Sequence, residues 1–419
     1  MRSITNKIHI IGSGLAGLST AINAIKKKIN CEVYESSKNA GGRCRSFFDK
    51  QINLKIDNGN HLVFSANKSF LNFCETIGSM STFKLISQDL KFFDIKSSHS
   101  WELGFKENLL KNIFFKCPIP KTSFFDYLSF LKFLFVKNNT TVDELVGRSK
   151  IFTTFWEPFT LAVMNTSPDY ASAKVLSNVL KETLFKGKKN CLIYQPIKNW
   201  GESLIDPAVR FIKKNKVRIN FNETLRKVYT RQGKIEELVF TNKKVKIKDG
   251  ERVVFAIPPS NIVKLFPEFS LPCDYNTILN IHYKVSSKNQ KLFKNEILGF
   301  INTISQWVFV KKNCISITVS DANKFNSLDS DTITKEVWKE VCTFLGKNIQ
   351  YENAKIIKEK KATYIQSPEN NALIQRFNEN KINNIFAGDW TQNTLPCTIE
   401  ASILSGKKAI ESLLCHKNA

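Results

Sequence analysis

The sequence lacks long apolar runs and closely paired cysteines. No apolar stretch in its 419 residues reaches the ~18 residues of a membrane-spanning helix. The opening stretch MRSITNKIHIIGSG has no signal-peptide pattern. The ten cysteines form no C-x-x-C pair, and the five histidines are dispersed. These absences predict a cytoplasmic protein with reduced thiols and no metal site.

Acidic residues are scarce relative to basic ones. The chain has 62 Lys and Arg residues against 37 Asp and Glu, a net charge of +25. The lysines are spread along the whole chain, whereas nucleic-acid binding needs a focused patch and base readout favours arginine. The charge therefore predicts no nucleic-acid partner. It leaves open a diffuse attraction to an anionic membrane or a solvated surface with no partner.

A dinucleotide-binding pattern opens the chain. The apolar stretch KIHII, residues 7–11, predicts a buried strand, and GSGLAG then leads into a breaker-free helical stretch. Glycines at these spacings allow a tight turn, the approach of a pyrophosphate and close helix–strand packing. A second strand, CEVYE, ends in an acid placed to bind ribose hydroxyls. The predicted cofactor-binding residues here are Gly12, Gly14, Leu15, Ala16, Gly17 and Glu35.

The stretch ESSKNAGGRCRS separates two possible cofactors, NAD and FAD. Gly41 and Gly42 give a second close backbone approach just after the ribose acid, and Arg43 can add a bond to the diphosphate or reach the flavin. An NAD-only Rossmann domain has no general need of this second cradle. The acid followed by Gly-Gly-Arg resembles the flavoprotein superfamily of amine oxidases and phytoene-type desaturases, which implies FAD.

Two distant segments complete the site that this resemblance implies. Near the C-terminus, a strand is followed by Gly388 and Asp389, which in the superfamily meet the diphosphate and ribityl chain. A helix beginning near Thr398 and Ile399 would then point its N-terminus at the flavin pyrimidine. In the hairpin-like stretch NETLRKVYTRQGKIEELVF, Leu225 matches the position whose backbone holds adenine.

More particular blocks resemble the bacterial hydroxysqualene dehydroxylases over nearly the full length. The blocks are GGRCRSFFD, IDNGNHLVFSAN, WEPFTLAVMNTSPDYASAKVLSNVL and FAGDWTQNTLPCTIEASILSGKKA. The resemblance implies replacement of the hydroxyl of hydroxysqualene by hydride from reduced FAD, giving squalene for hopanoid lipids. It also implies a squalene-pathway synthase upstream. Three alternatives stay open: a carotenoid or phytoene-type desaturase, an amine oxidase, and a non-catalytic flavin-containing scaffold that binds isoprenoids.

The dehydroxylation needs a donor at the departing hydroxyl and a dry pocket. In the DNGNH block, His61 is the predicted donor and Asp57 fixes its orientation or the local backbone. The alternative is a turn that holds the flavin edge without a proton role. The predicted substrate contacts are Trp156, Asn165 and Thr166, with Phe159 and Tyr170 as further aromatic candidates or plain core residues.

Residues 124–136 (FFDYLSFLKFLFV) form an apolar helix candidate with Lys121, Lys132 and Lys137 around it. One reading is a helix that rests on the inner face of the cytoplasmic membrane and admits a lipid substrate. The other is a core helix of the substrate domain, because the run is apolar on nearly every face.

The predicted fold is α/β, with a discontinuous Rossmann-type, amine oxidase-like FAD-binding domain and an α+β substrate domain. The FAD-binding domain is predicted to take residues 1–90, 190–260 and 380–419. The substrate domain is predicted to take residues 91–189 and 261–379.

Overall fold

The computed structural model describes residues 7–86, 89–103, 119–120, 122–380 and 385–415. Its strands, numbered in chain order, are β1 Lys7–Ile11, β2 Cys31–Tyr34, β3 Ser46–Asp49, β4 Leu54–Asp57, β5 Val63–Phe64, β6 Phe83–Ile86, β7 Leu90–Asp94, β8 His99–Leu103, β9 Ile193–Pro196, β10 Arg218–Asn220, β11 Leu225–Arg231, β12 Lys234–Phe240, β13 Lys244–Lys246, β14 Glu251–Phe255, β15 Tyr275–Lys284, β16 Ile297–Ile301, β17 Trp307–Lys311, β18 Cys314–Val319, β19 Asn353–Tyr364 and β20 Ile385–Phe386.

The α-helices are α1 Leu15–Lys26, α2 Lys68–Thr76, α3 Phe124–Tyr127, α4 Ser129–Lys132, α5 Val142–Val146, α6 Glu157–Met164, α7 Ala173–Glu182, α8 Asp206–Lys214, α9 Pro259–Leu265, α10 Ser287–Gln290, α11 Ser330–Leu345, α12 Pro368–Asn380 and α13 Ile399–Cys415. Wider π turns at Phe152–Trp156 and Gly201–Ile205 lead into α6 and α8. Among the described residues, no helix combines the length and apolar character needed to cross a bilayer.

The first of the two large sheets is five-stranded and parallel, with the strand order β10-β2-β1-β14-β20. Side chains alternate between its two faces, so Ile8 and Ile10 pack under the helices while Ile11 packs on the opposite side. The helices on the first face include α1, α8 and α13, and the three-stranded β11–β13 sheet covers the other. The predicted first strand and glycine turn lie in the centre of this sheet.

The second large sheet is seven-stranded and mixed, with the strand order β19-β15-β18-β17-β16-β7-β8. Helix α11 packs on one face through Val337 and Trp338. The segments α3 to α7 pack on the other, where Phe92, Trp307 and Phe309 meet them. The strands β16, β17 and β18 pair in chain order as antiparallel neighbours, and α11 follows them in the chain. The predicted domain boundaries stay a prediction.

The apolar segment 124–136 is not one continuous α-helix. It is two single turns, α3 and α4, followed by a 3₁₀ turn at Phe133–Phe135. The backbone bonds Leu128 N–H to Phe125 O and Leu131 N–H to Leu128 O span three residues, which is the 3₁₀ pattern. Lys121, predicted to flank this segment, lies outside the described residues.

Candidate active site

The glycine turn after β1 has the backbone shape that a diphosphate needs. Gly12 has φ +102°, and a Cβ there would lie 2.4 Å from the Ala256 carbonyl oxygen. A Cβ on Gly17 would lie 1.9 Å from the Gly12 carbonyl oxygen, so only glycine lets α1 begin this close to the strand. Gly14 has nothing within 4 Å of its Cβ direction and faces open space. Gly14, Leu15 and Ala16 line a cavity at the start of α1.

Glu35, directly after β2, reaches back to the glycine turn. Its Oε2 accepts hydrogen bonds of 2.8 Å from both the backbone N–H and the hydroxyl of Ser13. Its Oε1 accepts from the Ser37 N–H at 2.9 Å. With a further bond from the Ser36 hydroxyl to Oε1 at 3.1 Å, these bonds fix the carboxylate at the cavity wall, where a ribose diol would replace the rotatable serine hydroxyls as donor.

The second cradle, Gly41–Gly42, lies against the first. Both residues have positive φ, +110° and +53°, and the Gly41 N–H donates to the Ser13 carbonyl at 2.9 Å. A Cβ on Gly42 would lie 3.3 Å from the Gly14 Cα. The two glycine turns predicted from separate motifs are therefore adjacent walls of one cavity.

Arg43 joins the N-terminal motif to the C-terminal one. Its Nη2 donates to Asp389 Oδ2 at 2.7 Å, and its Nη1 donates to the Ala362 carbonyl. The guanidinium was predicted to reach the diphosphate or the flavin, and here it holds the buried carboxylate that follows Gly388. Gly388 in turn donates its N–H to the Ser405 hydroxyl in α13 at 2.8 Å.

The remaining predicted cofactor residues lie on the same cavity. Thr398 Oγ1 accepts from the Ala401 N–H at 3.3 Å, and Ile399 begins α13. Leu225 begins β11, in register with Phe240 of the neighbouring strand. All three line the cavity that Gly14 and Glu35 also line.

This cavity measures about 1150 Å³, above the ~300–1,000 Å³ typical of a single ligand site. It runs from the glycine turns to an apolar end between the seven-stranded sheet and the helical segment 152–164. The residues present fit FAD: two glycine cradles with open backbone, a ribose-binding acid and a helix N-terminus lie on one continuous wall. The apolar end is lined by Leu90, Phe92, Leu103, Phe155, Phe159 and Trp307.

Asp57 lies buried behind the cavity wall. Its Oδ1 accepts from the Ser46 hydroxyl and from the Trp200 N–H, at 2.9 Å for the latter. Its Oδ2 accepts from Lys311 Nζ at 2.9 Å. Burial raises the pKa of Asp57, and Lys311 with these donors more than offsets it, so the net pKa lies below its usual range. None of these contacts is with His61, and the arrangement supports the backbone-fixing role of the two predicted.

His61 lines the cavity with its ring edge-on to Trp200, the ring centroids 5.6 Å apart. Its Nε2 is buried and has no hydrogen-bond partner among the described residues. Burial lowers the pKa of His61 to about 4, even though Asp57 raises it. The imidazole is therefore neutral near pH 7 and has one N–H to donate. A buried polar atom without a partner is expected where a ligand supplies one.

The DNGNH loop that carries His61 is held by the seven-stranded sheet. Asn60 donates to Ser316 Oγ at 2.8 Å and to Thr318 Oγ1 at 3.0 Å, and its Oδ1 accepts from Lys311 at 2.8 Å. Asn58 donates to Glu359 Oε2 at 3.1 Å. These bonds fix the position of the loop relative to the cavity.

The predicted substrate residues separate into two groups. Asn165 lines the cavity, in the left-handed region with φ +49°, but its amide is used internally. It donates to Thr363 Oγ1 at 3.0 Å and accepts from the Asp321 N–H at 2.7 Å. Thr166 is buried away from the cavity lining and accepts from the Gln366 N–H at 3.2 Å. Of these two residues, the structure therefore brings only Asn165 to the cavity.

Trp156 is not brought to the cavity either. It is fully buried, donates Nε1–H to Ser129 Oγ at 3.0 Å, and does not line the cavity. The aromatic residues of this block that do so are Phe155 and Phe159, stacked with centroids 5.2 Å apart. One residue along a helix turns a side chain by about 100°, which directs Trp156 into the core. Tyr170, the other aromatic candidate, is exposed at the surface.

Sequence reasoning missed the contribution of β19. Glu359 and residues 361–364 of this strand line the cavity. The lysine-rich stretch KEKKATY shows no clear alternation in the sequence, so it does not indicate which residues face the cavity. Asn280 on β15 was also missed; it lines the cavity, and its amide donates to the Asn58 carbonyl at 3.2 Å.

Comparison with known proteins places the chain in a family. A family model described as flavin containing amine oxidoreductase matches residues 15–414. A hydroxysqualene dehydroxylase of Sinorhizobium fredii is 30% identical over 98% of this chain and 99% of its own. One of Zymomonas mobilis is 31% identical over 97% and 99%. A zeta-carotene desaturase of Capsicum annuum is 32% identical, over only 24% of this chain and 17% of its own.

Solved structures give the same fold. Cyclohexylamine oxidase from Brevibacterium oxydans superposes with a TM-score of 0.75 at 10% identity, covering 99% of both chains. Putrescine oxidase bound to putrescine superposes with a TM-score of 0.73 at 10% identity, covering 98% of this chain and 99% of that one. The predicted α/β fold, FAD cofactor and oxidoreductase class are thereby confirmed. The chain belongs to the flavin-containing amine oxidoreductase family, in which its full-length relatives include the hydroxysqualene dehydroxylases.

Proposed function

We propose that this protein is an FAD-dependent hydroxysqualene dehydroxylase, which replaces the hydroxyl of hydroxysqualene by hydride to give squalene. The observation that carries the proposal is the near full-length similarity to dehydroxylases, on a chain whose cofactor cradle opens into an aromatic cavity. A triterpene alcohol is apolar except at one oxygen. The cavity has the same distribution, with an apolar end and polar groups concentrated near His61.

The apolar end positions the substrate and excludes water. Phe92, Phe155 and Trp307 are almost completely buried, so a hydrocarbon chain placed among them replaces no polar contact. Their ring faces carry negative charge density that stabilises a nearby cation, such as the allylic cation left when a hydroxyl departs. Reduced FAD, when bound, supplies the hydride and proton that convert the alcohol to hydrocarbon and water.

His61 is the proposed donor to the departing hydroxyl. Its Nε2 is the buried, unpartnered ring atom on the cavity wall. Because the pKa of His61 is lowered to about 4, the ring is neutral, and the proposal requires the tautomer that carries its single N–H on Nε2 and not an imidazolium acid. Asp57 acts at a distance, by fixing the loop through Trp200 and Lys311.

The cofactor contacts of the proposal are those of the two cradles. The diphosphate is assigned to Gly12, Gly14, Gly17 and Gly41–Gly42, and the adenosine to Glu35 and Leu225. The flavin end is assigned to the start of α13. Arg43 and Asp389 hold the N- and C-terminal parts of this wall together.

The squalene product feeds hopanoid-type lipids in this proposal, and a squalene-pathway synthase supplies the substrate alcohol. The protein is proposed to work in the cytoplasm. The partial similarity to a zeta-carotene desaturase makes desaturation the second candidate, although it covers only 24% of the chain.

An anaerobic single-turnover experiment tests the proposal. The purified protein is reduced with dithionite, excess reductant is removed, and hydroxysqualene is added while flavin absorbance and products are followed. Stoichiometric flavin reoxidation with squalene formed is the expected result. Reduced flavin that ignores hydroxysqualene would overturn the proposal. Oxidised flavin that is bleached by a polyene would assign a desaturase, and bleaching by an amine would assign an amine oxidase.

A further inference from the structure

The segment 124–136 presents an apolar row to solvent. The described residues expose twelve large apolar side chains, and five of these fall within residues 125–135. Those five are Phe125 (77% exposed), Leu128 (37%), Leu131 (40%), Leu134 (42%) and Phe135 (86%). Such clustering marks an interaction surface, whereas scattered exposed apolar residues do not. We call these five residues the outer row.

The geometry of the segment explains how both rows form. Three-residue hydrogen bonds link α3, α4 and the 3₁₀ turn that follows them, so side chains three residues apart lie on the same face of the segment. Tyr127, Phe130, Phe133 and Val136 are spaced by three and all buried. The outer row, offset from them by one or two residues, therefore faces away from the core. The buried row agrees with the core-helix reading, and the membrane-surface reading stays a prediction for the outer row.

The buried row anchors the segment rigidly. Phe130 and Phe133 lie with ring centroids 4.4 and 4.7 Å from that of Trp156. The Ser177 hydroxyl of α7 donates to the Phe133 carbonyl at 2.6 Å. The outer row is thus presented on a packed support.

The charge around the outer row favours an anionic partner. Lys132 and Lys137 are exposed beside it, and Asp126 is the one acidic residue in 122–137. The carboxylate of Asp126 accepts from the Ser123 N–H at 2.7 Å as a helix cap. The chain as a whole carries +25. Large apolar side chains flanked by lysines are the pattern of a surface that lies in the headgroup region of a bilayer.

The surface also lies close to the apolar end of the cavity. Phe130, directly beneath the outer row, lies 5.1 Å from Phe155 between ring centroids. Phe155 lines the cavity and stacks on Phe159, which also lines it. A single layer of aromatic side chains therefore separates the outer row from the apolar end of the cavity.

We infer that the outer row with Lys132 and Lys137 docks the protein on an anionic phospholipid bilayer, beside the apolar end of its cavity. The proposed function gives this docking its use, because a triterpene alcohol resides in the bilayer. The docking itself rests on the surface alone.

Vesicle flotation of the FAD-bound protein tests the inference. The test variant replaces Phe125, Leu131 and Phe135 by Gln, and the matched control replaces exposed Phe48, Ile197 and Leu328 by Gln. Wild type and control should float with phosphatidylglycerol–phosphatidylcholine vesicles, and the test variant should bind roughly tenfold or more weakly. Flavin absorbance and circular dichroism verify that each variant is folded.

A second variant separates charge from burial. Lys132→Gln with Lys137→Gln should weaken binding to the anionic vesicles by roughly fivefold per lysine, without changing binding to phosphatidylcholine alone. Wild type that does not float, or a test variant that floats like wild type, overturns the inference. Loss of a wild-type dimer in the test variant, seen by light scattering without vesicle binding, would overturn it too and assign the row to self-association.

The same preparation keeps this inference separate from the proposed function. Flavin reoxidation by hydroxysqualene in detergent does not require a bilayer. Flotation that depends on the outer row without any turnover would retain the docking and reject the dehydroxylase. Turnover in detergent without flotation would retain the dehydroxylase and reject the docking.

Discussion

Replacing Lys311 by methionine is expected to leave the Asp57 carboxylate buried without its ion-pair partner. Asp57 is 2% exposed and Lys311 is 25% exposed, with 2.9 Å between Nζ and Oδ2. At an effective dielectric constant of about 20, this pair attracts by about 6 kcal/mol, much of which the desolvation of both groups offsets. Removing one partner forfeits the attraction and keeps the desolvation of the other.

The expected loss in the free energy of unfolding for Lys311→Met is therefore about 3 kcal/mol. Asp57→Asn should cost less, about 1–2 kcal/mol, because its amide oxygen still accepts from Ser46 and Trp200 while Lys311 reaches water. The double variant should match Asp57→Asn within about 0.5 kcal/mol, since the lysine then has no buried carboxylate to balance.

Urea unfolding of the apoproteins, followed by circular dichroism, measures these three differences. A Lys311→Met variant that loses less than Asp57→Asn would refute the reasoning, because it would show that the carboxylate is not held by this pair. Additive losses in the double variant would refute it as well.

Two further predictions concern the site, and a third concerns His282, a buried residue of β15 whose Nδ1 lies 2.8 Å from Ser316 Oγ. Gly17→Ala should purify without flavin absorbance, because its Cβ would lie 1.9 Å from the Gly12 carbonyl oxygen; a yellow variant would contradict the cradle. His61→Ala should retain flavin but form squalene roughly 10²-fold or more slowly, and equal rates for it and for a variant of exposed His99 would exclude the donor role. Burial lowers the pKa of His282 to about 3, so between pH 6.5 and 3 the unfolded chain binds a proton that the folded protein refuses. The free energy of unfolding should therefore decrease as the pH is lowered through this window, and this group should contribute a loss on the order of 5 kcal/mol by pH 3. In His282→Asn, the free energy of unfolding measured in urea should depend less on pH over the same window.

Most residues of the cofactor site could be predicted from local sequence motifs. Gly12, Gly17 and Glu35 lie on consecutive elements, and the Gly17 clash arises within one strand–turn–helix unit, although the Gly12 clash is with Ala256 beyond β14. The pairing of Arg43 with Asp389 was less accessible. Each residue was predicted to face the cofactor, but their ion pair joins segments that meet only in the folded protein.

Side-chain direction is what the sequence left undetermined in the substrate region. Trp156 and Phe155 are neighbours of similar chemistry, and only the π turn that precedes α6 decides which faces the cavity. Thr166 was predicted to contact the substrate as a polar residue in an apolar run, but the backbone can satisfy such a residue, here through Gln366. In 124–136, an expected helix period of 3.6 hid a three-residue period of the buried aromatic residues.

The helix α13 has a consequence for the synthesis of the protein. It packs against α1 so closely that a Cβ on Gly406 would lie 2.5 Å from the Ala16 carbonyl oxygen, and Ser19 donates to the Ile403 carbonyl at 2.7 Å. The helices α1 and α13 thus complete one wall together. A nascent chain exposes its glycine turn hundreds of residues before the ribosome delivers the segment that closes it. We therefore expect cofactor capture to wait until α13 has been synthesised, and a messenger truncated before α13 to yield a protein without flavin.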